Sequence, residues 1–207
     1  MRYSEKNNTT REWLINTVGM KAEVVDKACQ QLLSFFRNEQ AFRGSVRMQG
    51  YMGSGNRKAE IMVISDVPTK TESATKMVGF SDYSIILTIM FNMLGIEFGE
   101  VYWTTAVKRD CERVNLGIIQ KDHGMLKEEI ISVNPSLIIS LGTISITSLL
   151  NEKTKYDEVD DGVEYNVHNS LPGIPIISLD HPKNHILQDT CKNYFRETWN
   201  TIKLAFD

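Results

Sequence analysis

Cysteine is scarce and scattered: Cys29, Cys111 and Cys191 are the only three in 207 residues. An odd, widely spaced set argues against a disulfide framework and for reduced thiols in a cytoplasm-like compartment. Long hydrophobic runs are missing too. No stretch approaches the roughly 20 apolar residues of a membrane-spanning helix, and the polar start, Met1-Arg2-Tyr3-Ser4-Glu5-Lys6 into Asn7-Asn8-Thr9-Thr10, does not read as a secretion signal. Neither sign of charge dominates. With 23 Lys and Arg against 26 Asp and Glu, the net charge is -3 and the pI near 5.9. That argues against broad electrostatic capture of nucleic acid or an anionic membrane, yet leaves room for a local cationic patch. Internal repeats and low-complexity segments are absent. The abundance of Lys, Asn and Ile fits an AT-rich genome, bacterial or phage-borne, and a cytoplasmic protein.

Proline is also rare, with five residues, and two of them mark the most informative loops. Ser65-Asp66-Val67-Pro68 follows the apolar run Ile61-Met62-Val63-Ile64, and Asp180-His181-Pro182 follows Ile176-Ile177-Ser178-Leu179. Each sets a polar side chain and a rigid turn where a buried strand surfaces. In a parallel sheet that edge is where ligands bind, so a carboxylate and an imidazole are placed to converge on one substrate.

The rest of the chain supports that topology. Apolar spacing predicts an amphipathic helix over 21–38, followed by a glycine-rich approach, Gly50 to Lys58, to the first strand at 59–64. A helix capped by Ser81 or Asp82 runs to about Leu94, where Gly95 stops it. A strand at 101–105, a helix at 120–133 with Met125, Leu126, Ile130 and Val133 on one side, and a strand at 137–141 come next. Gly142 turns the chain, and Thr143 caps a short helix to Leu150. Residues 151–173 are polar and irregular, with room for a hairpin near 163–167. A last strand at 175–179 and a helix from Asp189 to Phe206, with Phe195, Trp199, Ile202 and Phe206 as its core stripe, close the chain. Strands alternating with helices predict a three-layer α/β/α sandwich with a four-stranded parallel sheet, as one domain over 1–207 with an N-terminal helical extension of about 45 residues. The four strands then end on one rim, which carries Asp66, the Thr104–Arg109 run, Gly142-Thr143 and His181.

These rim segments, in order, resemble the uracil-DNA glycosylase superfamily, most closely its family 4 branch. The likeness covers roughly 46–206 and rests on AEIMVISDVP, VYWTTAVKR, NPSLIISLG and ISLDHP. It implies a DNA glycosylase that hydrolyses the N-glycosidic bond of uracil or another altered pyrimidine after flipping the nucleotide. By that resemblance, Asp66 positions the attacking water and His181 stabilises the leaving base. Phe80 is the ring on which the base stacks, and Val67 and Thr105 border it. Lys183, Asn184 and His185 lie where relatives insert a loop into the minor groove, and Lys108 and Arg109 are placed for phosphate contact. The chemistry fits, because breaking this bond leaves an anionic base and an oxocarbenium-like sugar.

The chain also departs from the family pattern. The asparagine that reads the uracil edge falls at Thr105, which offers one hydroxyl where an amide offers two kinds of contact. The glycine after the first-motif proline is Thr69, and the acid is shortened to Asp66. The usual iron–sulfur cluster positions fall near Arg109 and Asp122, and three scattered cysteines cannot supply four thiolates. The expectation is therefore no metal and no organic cofactor. These departures motivate a second reading, a glycosylase-shaped protein that binds DNA or a replication or repair partner without cleaving. A nucleotide-binding module is disfavoured, because the loop after the first strand, SDVPTKTE, has no glycine to form a phosphate cradle.

Overall fold

The computed structural model describes residues 10–45, 52–111, 113–150, 164–166, 173–186, 188 and 190–206. Among these residues six strands form one sheet: β1 (Ser54–Gly55), β2 (Ile61–Ser65), β3 (Tyr102–Thr105), β4 (Leu137–Leu141), β5 (Glu164–Asn166) and β6 (Pro175–Leu179). Their order is β1-β3-β2-β4-β6-β5. The inner four, β3-β2-β4-β6, are parallel throughout, as the alternating pattern predicts. Two short antiparallel strands extend the edges, β1 on β3 and β5 on β6. These two edge strands add to the expected four; β1, at two residues, is too short for periodicity to register. Of the expected hairpin near 163–167, only β5 lies within the described residues.

Among the described residues six α-helices cover the sheet: α1 (Ala22–Ser45), α2 (Lys70–Thr75), α3 (Asp82–Met93), α4 (Leu116–Val133), α5 (Thr143–Leu150) and α6 (Cys191–Leu204). The inner strands are apolar on both faces, so alternate residues feed two separate cores. Val63, Trp103, Ile139, Leu141, Ile177 and Leu179 pack with α1, α3 and α6. Met62, Ile64, Tyr102, Ile138 and Ile176 pack with α4 and α5. Helix α1 contributes Val25, Ala28 and Leu32 to the first core, so the N-terminal extension is welded to the sheet layer. Two side chains depart from the expected faces. Met125 on α4 is 47% exposed, and Phe206 beyond α6 is 40% exposed.

Helix ends follow local chemistry. Asn115 caps α4 by accepting from the Ile118 N–H, and Asn134 closes it in the left-handed region, where asparagine is tolerated. The short α2 was not anticipated. It starts at a capping box in which the Thr69 hydroxyl accepts from Glu72 N and the Glu72 carboxylate accepts from Thr69 N. No helix of the described residues is long and apolar enough to cross a membrane.

Candidate functional site

Register brings the rim together. Ser65 pairs with Leu141, and Leu141 pairs with Leu179. Asp66 therefore leaves β2, Gly142 leaves β4 and His181 leaves β6 at the same edge of three adjacent strands. Two strand spacings, about 10 Å, separate the first backbone from the third.

Asp66 is 6% exposed. Its Oδ1 accepts from Ser145 N at 2.9 Å, and Ile144 N also donates to the carboxylate. Asp66 thus caps α5 from across the sheet, against the positive end of the helix. Burial pushes its pKa up to about 6, and the Ser145 N–H and the nearby Lys183 ammonium hold it back. The group remains ionised at neutral pH. Gly142 makes room for it. A Cβ there would lie 2.4 Å from Asp66 Oδ2, and the backbone φ of +94° favours glycine in any case.

His181 is 1% exposed. It begins a 3₁₀ turn over Pro182–Asn184, and its Nδ1 accepts from Lys183 N at 3.1 Å. Burial, with the positive charge of Lys183 behind it, pulls its pKa down to about 3 against the opposing Asp180 carboxylate. The imidazole is neutral. Because Nδ1 accepts, the proton sits on Nε2, and Nε2 has no hydrogen-bond partner among the described residues. A buried donor without an acceptor is costly. The arrangement offers an anion and an unused neutral N–H donor on one rim, with Lys183 close enough to act on both. The Lys183 side chain is exposed.

The other expected residues are placed as follows. Val67 is half-buried next to Asp66. Thr105 is fully buried, and its hydroxyl donates to the Val107 carbonyl at 2.8 Å. Phe80 is buried and stacks on Phe36 of α1, with centroids 4.1 Å apart and planes inclined by 21°; one ring face is already covered. Asn184 and His185 turn back on Asp180. The Asn184 amide donates to Oδ1 at 2.9 Å, His185 Nε2 lies 2.5 Å from Oδ2, and the His185 ring stacks on Tyr194.

Lys108 departs from the expected phosphate contact. Its side chain is buried, with Nζ 2.5 Å from Glu129 Oε2 on α4 and 2.5 Å from Thr104 Oγ1. Arg109 is half-buried and grips Asp122 through two nitrogens, with Nε 3.0 Å from Oδ2. Asp122 also accepts from Lys108 N at 2.8 Å. Two consecutive cations are thus clamped by two acids spaced seven residues apart on α4, which fixes the loop leaving β3.

This clamp bears on the iron–sulfur cluster of the family resemblance. The two positions nearest its cysteines hold Arg109 and Asp122, joined as an ion pair. Cys29 lies on α1 against the first core, Cys191 is buried at the start of α6, and Cys111 lies in the loop after β3. These residues do not fit a four-thiolate cluster. Asp122→Ala leaves the buried Lys108 N–H without its acceptor, and we expect about 1–3 kcal/mol lower stability in denaturant unfolding. A chelator should leave the unfolding midpoint unmoved.

Sequence reasoning missed Glu72 and Tyr83. Glu72 is fully buried and accepts from Thr69 N at 2.7 Å, Gly79 N at 2.6 Å and the Tyr83 hydroxyl at 2.9 Å. The pattern Thr69-x-x-Glu72 was the available signal.

No curated protein sequence gives a significant match. A family model described as the uracil DNA glycosylase superfamily matches residues 52–203. That span includes the six described strands, the capped Asp66 carboxylate and the His181 imidazole, and the chain belongs to the uracil DNA glycosylase superfamily.

Proposed function

We propose that the protein hydrolyses the N-glycosidic bond of uracil or a modified pyrimidine in DNA, acting on a flipped nucleotide. The observation that carries this reading is His181: a buried, neutral imidazole whose Nε2–H has no acceptor among the described residues, on the same sheet edge as an ionised Asp66. A departing pyrimidine accumulates negative charge on its carbonyl oxygen, which an Nε2–H donor stabilises without giving up its proton. The sugar left behind is cationic, and the Asp66 carboxylate stabilises it and orients water toward C1′. Both groups are nearly solvent-free, which strengthens their action on developing charge, and the side chains over them must part to admit a base. Lys183, exposed on the turn after His181, is the cation best placed for a phosphate.

One set of observations favours the second reading, a protein that binds DNA without cleaving it. The Thr105 hydroxyl proton is already donated to Val107, and one face of Phe80 is covered by Phe36, so each has less to offer a base in this arrangement. One experiment separates the two. Oligonucleotides carrying uracil, hydroxymethyluracil or thymine opposite guanine are incubated with the protein, then treated with alkali. Cleavage at the altered base is expected. Retarded mobility in a gel with no alkali-labile site on any substrate would replace the first reading with the second.

A further inference from the structure

We propose that Tyr83, held by the buried Glu72, is a positioning residue that sets the plane of the His181 imidazole. The inference rests on the role given to His181 above. Tyr83, in the first turn of α3, is buried and meets the His181 ring edge-on, with centroids 4.7 Å apart and planes at 73°. This geometry suits the charge distribution of two aromatic rings. Its hydroxyl donates to Glu72 Oε1 at 2.9 Å, with Ser65 Oγ 3.4 Å away at the end of β2.

Glu72 belongs to a different part of the rim. The same carboxylate binds the backbone N–H groups of Thr69, just past the Asp66 loop, and Gly79, beside Phe80. One buried acid therefore joins the loop after β2, the loop before α3, and the ring that walls His181. The hydrogen bond that the imidazole makes among the described residues comes from the Lys183 N–H to Nδ1. Two contacts act on the ring together: the backbone bond selects which nitrogen carries the proton, and Tyr83 holds the ring where that bond can form. Misaiming a catalytic group by about 1 Å can cost on the order of 10²-fold in rate.

The test uses two variants of the full chain. Tyr83→Phe keeps the ring and removes its tether to Glu72; Tyr83→Leu removes the ring. Nitrogen-15 spectra of the histidine side chains at pH 7, with His181 assigned by its own replacement, report the tautomer and its uniformity without DNA. Steady-state cleavage of a uracil oligonucleotide reports kcat and KM. Wild type should show one sharp Nε2–H tautomer. Both variants should broaden or mix that signal, and kcat should fall at least about tenfold with KM little changed.

An unaltered His181 signal in folded Tyr83→Phe and Tyr83→Leu overturns the proposal, as does an altered signal with wild-type kcat. If Tyr83→Leu does not fold, Tyr83→Phe decides alone. If wild type cleaves no substrate, the assigned reaction fails, and the spectra alone decide whether Tyr83 positions the ring.

Discussion

Asp66→Asn should fold as wild type does and lose about 10²–10⁴-fold in glycosidic cleavage. The asparagine oxygen can still accept from Ser145 N, so the cap on α5 survives. The amide has nearly the shape of the carboxylate, which matters because Gly142 lies hard against it. Removing a buried charge also removes its desolvation cost, so stability should hold or rise slightly. Only the negative charge is lost, and it is what the reading assigns to the sugar cation. Unfolding curves run beside single-turnover assays check both halves of the expectation. A variant that cleaves normally would reduce Asp66 to a helix cap.

His181 permits a finer dissection, because its two nitrogens do different work. Asparagine at 181 can present an acceptor near the Nδ1 position and keep the Lys183 N–H satisfied, but has nothing at Nε2. Glutamine can reach the Nε2 position with a donor. We expect His181→Ala and His181→Asn each to lose about 10²–10³-fold in rate, the scale for deleting one donor to a developing oxyanion. His181→Gln should recover part of that loss. Equal activity in the Asn and Gln variants would mean that the Nε2–H is not the working group.

The inner sheet was legible because its signals are local. Runs such as Leu137–Leu141 and Pro175–Leu179 are apolar but for one serine each and are bounded by turn residues, and the structure reproduces both ranges. Knowing that parallel strands share an exit edge was enough to set Asp66, Gly142 and His181 side by side. What the sequence did not show depended on partners far away in the chain. Lys108 looked like a rim cation, yet Glu129 on α4 draws it inward. Phe80 looked free to stack on a base, yet Phe36 on α1 already covers one of its faces. Asn184 and His185 looked like a groove-reading loop, yet Asp180 gathers both. Glu72 was hidden for a related reason. Its capping box is readable from four residues, but its bonds to Gly79 and Tyr83 exist only once α3 folds over the β2 loop.

The account turns on the charge states of two buried groups, an anionic Asp66 and an uncharged His181. The single-turnover rate of uracil release as a function of pH tests both at once. Asp66 has its pKa raised to about 6 and must be ionised to act, so the rate should rise with pH through that value as one ionisation and then level off. His181, with its pKa near 3, should add no falling limb between pH 4 and 8. A rate that falls as pH passes from 5 to 7 would mean that a protonated imidazole or a protonated carboxyl does the work, and would contradict the mechanism.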